Sequence, residues 1–282
     1  MRKCCILVLV NVDKCDKMLK DVVKMLAEGR LKEIERILNE KGSVIISNLS
    51  KIFKVSEETI RRDLEKLEKK NILKRVRGGA YLLSDNDKQV PLEIREQIFL
   101  EEKHEIAQEC VNHIEDGETL MIDSSTTAIC VAQEIEKKGL KLKVITNSIK
   151  VVEIFENSKW VDVVCIGGVL RKRTKSFVGN KAVEQLKDLR ATKALISCTA
   201  IDKVFGITDD SEREAEIRKI MIKNSLKVFL LADRTKFDNL EAHLISELEN
   251  IDVVITDKKI SEEWQKKAKE NKVEIIYTHI EN

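Results

Sequence analysis

Residues 55–83 read VSEETIRRDLEKLEKKNILKRVRGGAYLL, and this stretch predicts a DNA-recognition helix followed by a basic β-hairpin. Ser56 is a favoured N-cap, and the two glutamates after it suit the positive end of a helix. Ile60, Leu64 and Leu67 recur at i, i+4 and i+7, so one face of the helix is apolar and packs on a core. The opposite face is basic. A helix in the major groove needs such a face, because arginine can bind guanine through two hydrogen bonds and lysine neutralises phosphate.

A short hairpin is predicted directly after this helix. Asn71 can end the helix in a left-handed conformation. Residues 72–76 alternate as a strand, Gly78-Gly79 permits a tight turn, and residues 80–83 can return as the partner strand. Helix and hairpin together predict a DNA-binding surface that comprises Ser56, Thr59, Arg61, Arg62, Lys66, Lys74, Arg75 and Arg77. The alternative is an ordinary charged surface helix and hairpin, but capping, apolar stripe and turn agree with one another and favour DNA binding.

Positive charge is concentrated in this stretch. The whole chain has 51 basic and 49 acidic residues, a net charge of only +2. Between Arg61 and Arg77 eight basic residues stand against three acidic ones, so this segment is +5 and the rest of the chain sums to −3. A local excess of this kind is typical of a surface that lies against a phosphate backbone.

The elements before the recognition helix fit the same architecture. Leu31, Ile34, Ile37 and Leu38 predict a first helix that ends near Gly42. A short strand at 44–46 and a second helix follow, the latter capped by Ser47 or Asn48. Helix, helix, recognition helix and hairpin is the order of a winged helix-turn-helix.

The strings TIRRDL at 59–64 and RVRGGA at 75–80 resemble the signature of the DeoR family of transcriptional regulators. In that family a winged helix-turn-helix precedes a sugar-phosphate-sensing domain related to ribose-5-phosphate isomerase. Family members begin near the position of Met25, so a start codon assigned too early would explain the residues before it. The resemblance implies an N-terminal extension at 1–24, a DNA-binding domain at 25–83, a linker at 84–91 and an effector-binding domain at 92–282.

From Glu118 onward, short apolar strands alternate with helical segments. The predicted strands are 119–122, 143–146, 162–166, 194–198, 228–232, 253–256 and 273–277, and the helices lie near 127–137, 148–156, 180–188, 212–224 and 261–270. This alternation predicts a mainly parallel, Rossmann-like sheet covered on both faces. The fold class is therefore α/β, with a winged helix-turn-helix at the N-terminus.

Polar or glycine-rich residues follow four of these strands, at Asp123–Thr127, Thr146-Asn147, Gly167-Gly168 and Asp233–Lys236. Ligands of such sheets bind at the carboxyl ends of the strands. Hydroxyl and N–H groups at a helix N-terminus, as at 123–127, suit phosphate, although a plain helix cap is the alternative there. A basic run at 171–175 either adds a phosphate contact or forms a solvated loop.

The same residues resemble the sensor motifs of the family. Its Asp-Ser-Gly-Thr-Thr phosphate loop corresponds to residues 123–127, with Ser125 in place of glycine, and a requirement for positive φ at that position would strain serine. The resemblance implies that Ser124 to Thr127 hold phosphate and that Asp123, Asn147 and Lys236 contact sugar hydroxyls or phosphate. The implied effector site comprises Asp123, Ser124, Ser125, Thr126, Thr127, Thr146, Asn147, Gly167, Gly168, Glu214, Asp233 and Lys236.

Several other classes of function find no support in the sequence. The seven cysteines form no Cys-x-x-Cys pair and no cluster with histidine, so we expect no metal, no cofactor and no disulfide framework. Cys110, Cys130, Cys165 and Cys198 fall in apolar segments and are expected in the core, which suits a reducing cytoplasm. No apolar run reaches about 18 residues, so no transmembrane helix is expected.

The leading hypothesis is a repressor of a sugar-metabolism operon that binds double-stranded operator DNA and responds to a phosphorylated sugar. A homodimer or higher homo-oligomer is expected, because one recognition helix reads only a few base pairs. One alternative is an isomerase-like enzyme fused to a DNA-binding module, with Asp123, Glu214 and Lys236 in acid–base roles. Another is a constitutive DNA-binding protein whose sensor has lost its ligand, an idea suggested by Ser125.

Overall fold

The computed structural model describes residues 12–82 and 90–278, with side chains from residue 27 onward. The chain divides into two compact units between Ile94 and Arg95. Of the expected extension at 1–24 the structure describes only the backbone of residues 12–24. Of the expected linker at 84–91 it describes only residues 90–91. The domain boundaries therefore stay predictions.

The first unit orders its elements as a winged helix-turn-helix. They are α1 Val12–Lys41, β1 Ser43–Ile45, α2 Ile46–Phe53, α3 Glu57–Glu68, β2 Lys74–Val76 and β3 Gly79–Tyr81. The strands form an antiparallel sheet of order β1-β3-β2. Ile60, Leu64 and Leu67 on α3 are fully buried against Ile34 and Leu38 of α1. Each such burial contributes about 1.5–3 kcal/mol, so the apolar stripe fixes which face of α3 points outward.

The start of α2 differs from the prediction. The helix begins at Ile46, directly after β1, and Ile45 occupies the N-cap position without any side-chain cap. Ser47 and Asn48, the predicted caps, lie inside the helix. Burial of Ile46 and Leu49 in the core positions this short helix, and packing outweighs the preference for a polar cap.

The turn of the wing lies at Arg77-Gly78, one residue before the predicted Gly78-Gly79, and Gly79 begins β3. Gly78 has φ +86°, a conformation that glycine adopts readily. A Cβ atom at Gly79 would overlap the carbonyl oxygen of Val44, because β3 passes close to β1 there. Asn71 has φ +57°, so its predicted left-handed conformation is confirmed.

The second unit is an α/β fold, entered through α4 Leu92–Gln97, the helix that contains the division between the units. Its further elements are α5 Leu100–Val111, β4 Thr119–Ile122, α6 Thr126–Lys138, β5 Leu142–Thr146, α7 Ile149–Phe155, β6 Val161–Cys165, β7 Val169–Arg171, β8 Ser176–Val178, α8 Asn180–Lys187, β9 Ala191–Ile196, β10 Ala200–Asp202, β11 Gly206–Asp209, α9 Glu212–Lys223, β12 Ser225–Leu231, β13 His243–Ser246, β14 Val253–Thr256, α10 Glu262–Glu270 and β15 Glu274–Tyr277. Short 3-10 helices lie at Arg234–Lys236 and Leu248–Asn250.

The central sheet has seven strands in the order β15-β14-β12-β9-β4-β5-β6, all parallel. Each of the seven predicted strands lies in this sheet, which confirms the predicted fold class. The sequence did not predict the antiparallel pair β7-β8 or the small sheet β10-β11-β13. Their strands have only three or four residues, too few for an alternating pattern to emerge.

The strand order places a crevice between β4 and β9. From β4 the chain proceeds through β5 to β6 at one edge, then returns to the other side of β4 with β9. In open parallel sheets, ligands bind at the carboxyl ends of the strands where the order reverses in this way.

The cysteine prediction was wrong in one case: Cys110, Cys130 and Cys198 are buried, but Cys165 on the edge strand β6 is exposed.

Candidate DNA-binding surface and effector site

The N-terminal cap of α3 forms as predicted. Ser56 Oγ accepts a hydrogen bond from the N–H of Thr59 at 3.2 Å and lies 2.9 Å from the Thr59 hydroxyl. These two residues therefore fix the start of the recognition helix, where a helix in the major groove makes its first contacts.

The predicted basic side chains are all exposed, and several are paired along the helix. Arg61, 51% exposed, donates to Glu57 at 2.8 Å, and Arg62, 71% exposed, donates to Glu58 at 3.2 Å. Exposed i, i+4 pairs contribute only about 0.3–0.5 kcal/mol, so DNA phosphates or base edges can replace the glutamates at little cost. The remaining exposed basic residues of the prediction are Lys66, Lys74, Arg75 and Arg77.

Arg75 joins the wing to the recognition helix. Its Nε donates to Glu68 at 2.6 Å and its backbone N–H donates to the other Glu68 oxygen at 2.9 Å. The backbone N–H and then the guanidinium of Arg75 lower the pKa of Glu68. Arg75 thus holds the hairpin to the helix and also contributes its positive charge to the surface.

Asp63 has a structural role that the sequence did not reveal. It is buried, and Arg30 Nε on α1 donates to it at 2.6 Å. The partners are 33 positions apart, so no local pattern indicates the pair. The contact ties the first helix to the recognition helix.

In the second unit, Asp123 lies at the crevice between β4 and β9 with both carboxylate oxygens occupied. Oδ1 accepts from the N–H of Ser125 at 2.9 Å, and Oδ2 accepts from the N–H of Ser197 at 3.1 Å and from Arg218 Nε at 2.6 Å. Arg218 also donates to Asp209 at 2.6 Å. Asp123 therefore fastens the loop after β4 to β9 and to helix α9.

Ser125 is the N-cap of α6 and is unstrained. Its φ is −74° and its ψ 154°, and its Oγ accepts from the N–H of Ala128 at 3.1 Å. The strain that a positive φ would have caused is absent, which removes the observation behind the hypothesis of a sensor without a ligand. No acidic residue lies in the first turn of α6, which begins with Thr126 and Thr127.

Glu214 on α9 is buried and gathers hydroxyl groups from two elements. It accepts from Ser124 Oγ at 3.0 Å, from Thr174 Oγ1 at 3.0 Å and from Ser176 Oγ at 2.6 Å. Arg171 Nη1 lies 3.7 Å away, so this member of the basic run turns inward. Glu214 thereby holds the β7-β8 hairpin against the loop after β4.

Thr146 ends β5 and Asn147 follows it, and both are fully buried. Thr146 Oγ1 accepts from the N–H of Ser148 at 3.1 Å, and Asn147 Nδ2 donates to the carbonyl of Phe177 at 3.0 Å. Asn147 Oδ1 accepts no hydrogen bond from the part of the chain that the structure describes. A buried acceptor of this kind suits a ligand hydroxyl.

Gly167 and Gly168 have a packing explanation. A Cβ atom at Gly168 would lie 2.8 Å from the carbonyl oxygen of Val178, and the N–H of Gly167 donates to Gln185 at 3.2 Å. β6 and β12 are four strand spacings apart, roughly 19 Å. The glycines after β6 and Asp233 after β12 therefore lie on opposite flanks of the crevice.

The segment after β12 has one free cation among the described residues. Asp233 accepts from the N–H of Thr235 at 2.9 Å and caps the 3-10 helix, while Arg234 pairs with Asp257 and with Glu102, the latter at 3.2 Å. Lys236 is half-buried and forms no ion pair within the described ranges. Its charge is thus available to an anion.

The sequence did not reveal the interaction between the neighbouring carboxyl groups of Asp209 and Asp210. Burial, followed by the neighbouring charge of Asp209, raises the pKa of Asp210 to about 7.

Residues 27–82 and 90–278 contain no group of three or more His, Cys, Asp or Glu side chains that is arranged for a metal ion. None of the described helices is both long and apolar enough to cross a membrane.

A winged helix-turn-helix followed in the same chain by a parallel α/β unit with a polar strand-end site defines a class: transcription regulators with a DNA-binding and a sensor unit. Two family models match the chain, the DeoR-like helix-turn-helix domain over residues 30–86 and the DeoR C terminal sensor domain over residues 98–258. The chain belongs to the DeoR family, as its motifs predicted.

The chain matches relatives named as transcriptional regulators over more than nine tenths of their length. The chain is 35% identical to the uncharacterized HTH-type transcriptional regulator YulB of Bacillus subtilis (strain 168), over 89% of this chain and 96% of the other. It is 35% identical to the lactose phosphotransferase system repressor of Lactococcus lactis subsp. lactis, over 82% and 91% of the two chains. With the repressor GlcR of Bacillus subtilis (strain 168), identity is 30% over 90% and 97%. The protein is thus a DNA-binding transcriptional regulator and not an enzyme.

Proposed function

We propose that the protein is a repressor of a sugar-metabolism operon and that a phosphorylated sugar, bound at the crevice of the second unit, changes its affinity for operator DNA. The lactose system repressor and GlcR support repression as the output, since both names describe repressors. Two recognition helices are needed to read an operator of useful length, so we propose a homodimer or higher homo-oligomer acting in the cytoplasm.

One observation supports the phosphate part of the proposal above the others: α6 begins at the crevice with a serine cap and no acidic residue in its first turn. The first N–H groups of a helix lack partners within it, and the helix dipole favours negative charge there. We assign the phosphate to those N–H and hydroxyl groups of Ser124–Thr127 that do not already donate to Asp123 or Glu214, with Lys236 as a cation. Asn147 Oδ1 would accept from a sugar hydroxyl.

Asp123 and Glu214 receive a different role in this proposal. Each accepts three hydrogen bonds from the protein itself, so we assign them to holding the loops of the site rather than to contacting the sugar. Gly167 and Gly168 likewise serve packing. The DNA contacts remain those of the exposed basic residues on α3 and the wing.

The proposal is tested by a thermal-shift screen of the full chain against sugar phosphates and the matching free sugars. A ligand at 100 times its Kd stabilises the folded state by about 2.7 kcal/mol. A hit on one phosphosugar, absent for its free sugar, is the expected result, and Lys236→Ala should abolish it while leaving DNA binding unchanged. Stabilisation by no phosphosugar, or equally by the free sugar, would contradict the proposal.

A further inference from the structure

Lys103 on α5 lies outside every motif that the sequence singled out, and it is unusual for a lysine. The residue is only 5% exposed. Its ammonium donates to the carbonyl oxygens of Arg95 and of Ile98, the latter at 2.6 Å. An ammonium has three N–H donors, so one is left over. Within the ranges that the structure describes, no carboxylate forms an ion pair with Lys103, although buried lysines are normally paired.

The first turn of α5 lies against the segment that contains Lys236. Arg234 Nη2 is 3.2 Å from Glu102 Oε1, and the Arg234 guanidinium carbon is 5.4 Å from the centre of the Phe99 ring. Burial lowers the pKa of Lys103 to about 8, and repulsion by Lys236 is the second cause. Two ammonium groups thus share one region of the candidate site.

We infer that Lys103 is a second cation of the effector site, which binds the phosphate of the effector together with Lys236. A phosphate monoester carries a charge of about −1.5 to −2 at pH 7, so it can neutralise two neighbouring cations and accept the remaining N–H of Lys103. The inference rests on the proposed function and deepens it. Through its bonds to Arg95 and Ile98, the same ammonium links the phosphate to the corner between α4 and α5.

The test uses the full chain and methyl phosphate, titrated by calorimetry at constant ionic strength. Four proteins are compared: the wild type, Lys103→Gln, Lys236→Gln and the control Lys266→Gln, which removes an exposed lysine of α10. Glutamine keeps a donor for one of the two carbonyls. Loss of a charge-assisted hydrogen bond should weaken methyl phosphate binding by roughly tenfold to a hundredfold in Lys103→Gln. The control should bind as the wild type does.

The pH dependence in the wild type gives a second measurement that does not rely on a variant. The ionisable groups that interact with Lys103 are Lys236, Cys130, Asp233 and Arg95, and burial raises the pKa of Cys130 to about 11. Methyl phosphate, with a second pKa of about 6, keeps its charge above neutrality. Its affinity should therefore fall as pH rises through about 8, where Lys103 loses its proton.

The outcomes separate this inference from the proposed function. If Lys103→Gln binds methyl phosphate within about twofold of the wild type while Lys236→Gln does not bind, Lys103 is not a phosphate contact, and the effector site stands without it. A wild-type affinity that stays flat across pH about 7 to 9 overturns the inference even if the variant fails to fold. If the wild type binds neither methyl phosphate nor any phosphosugar, both proposals are wrong.

Discussion

Replacing Arg218 by methionine should destabilise the second unit more than most single substitutions would. The guanidinium, 7% exposed, bridges two buried carboxylates, with Nε 2.6 Å from Asp123 and Nη1 2.6 Å from Asp209. Methionine matches the length of the apolar stem but leaves both carboxylates without their cation. It thereby releases the loop after β4 from helix α9.

The magnitude follows from the burial of the pair. Breaking a buried ion pair by removing one partner costs about 3–5 kcal/mol, because the remaining charge is uncompensated. Here one arginine serves two carboxylates, and Asp210 beside Asp209 already has a raised pKa of about 7. We therefore expect a loss toward the upper end, which corresponds to a fall in Tm of roughly 10–20 °C for a unit of this size.

Tryptophan fluorescence during urea unfolding measures this loss in the second unit alone. The chain has two tryptophans, Trp160 and Trp264, and both lie in that unit. The matched control is Arg213→Met, which removes an exposed arginine from the same helix and should change stability by no more than about 0.5 kcal/mol. A variant with Asp123→Asn and Asp209→Asn added to Arg218→Met should recover part of the loss.

Two results would refute this reasoning. A destabilisation of Arg218→Met below about 1 kcal/mol would mean that water or local rearrangement compensates the carboxylates. A triple variant no more stable than the single one would mean that the loss comes from packing and not from uncompensated charge.

Three further substitutions test other parts of the molecule. Arg62→Ala should weaken binding to DNA selected from a random library by about 1–3 kcal/mol in a gel-shift titration, and an equal loss on random DNA would reassign Arg62 to phosphate. Gly79→Ala should lower the stability of the first unit, because the added Cβ would overlap the Val44 carbonyl oxygen. Thermal unfolding followed by circular dichroism measures this loss, and an unfolding curve identical to that of the wild type would contradict the close approach. Asp210→Asn should raise Tm at pH 8 and have a smaller effect near pH 4: the pKa of Asp210 is raised on folding, so its charge destabilises the fold above about 7, and this cost disappears as pH falls toward the unfolded value. An equal effect of Asp210→Asn at both pH values would argue against a buried charge.

Local patterns were sufficient for the elements and insufficient for the contacts between them. The stripe Ile60-Leu64-Leu67 and the Ser56 cap form as predicted, and the turn of the wing lies one residue before the predicted Gly78-Gly79. The strands of a parallel sheet are buried on both faces, so each strand is a nearly continuous apolar run that can be recognised in the sequence by itself. The strand-end motifs could likewise be located, since every strand of a parallel sheet ends at the same edge.

The residues that hold the site together could not be found in this way. Arg218 bonds to Asp123 across 95 positions, and Glu214 bonds to Ser124 across 90. One local signal did exist: Glu214 and Arg218 stand at i and i+4 on the inner face of α9, beside the buried Ile217 and Met221. Charged residues on the apolar face of a helix indicate a buried partner, although they do not say which one.

These buried carboxylates also bear on why the crevice suits sensing better than turnover. A general base must reach a substrate proton at about 2.6–3.2 Å with a lone pair to spare. Asp123 and Glu214, however, each already accept three hydrogen bonds from the protein, and these bonds occupy both oxygens of each carboxylate. Removing such donors from a buried carboxylate is costly. The groups left for a ligand are the N-terminus of α6, a neutral amide oxygen and ammonium groups, which attract an anion and orient hydroxyls. A site composed of these groups can distinguish a phosphorylated sugar from a free one, and a binding difference of that kind is what a regulator needs to shift between two states.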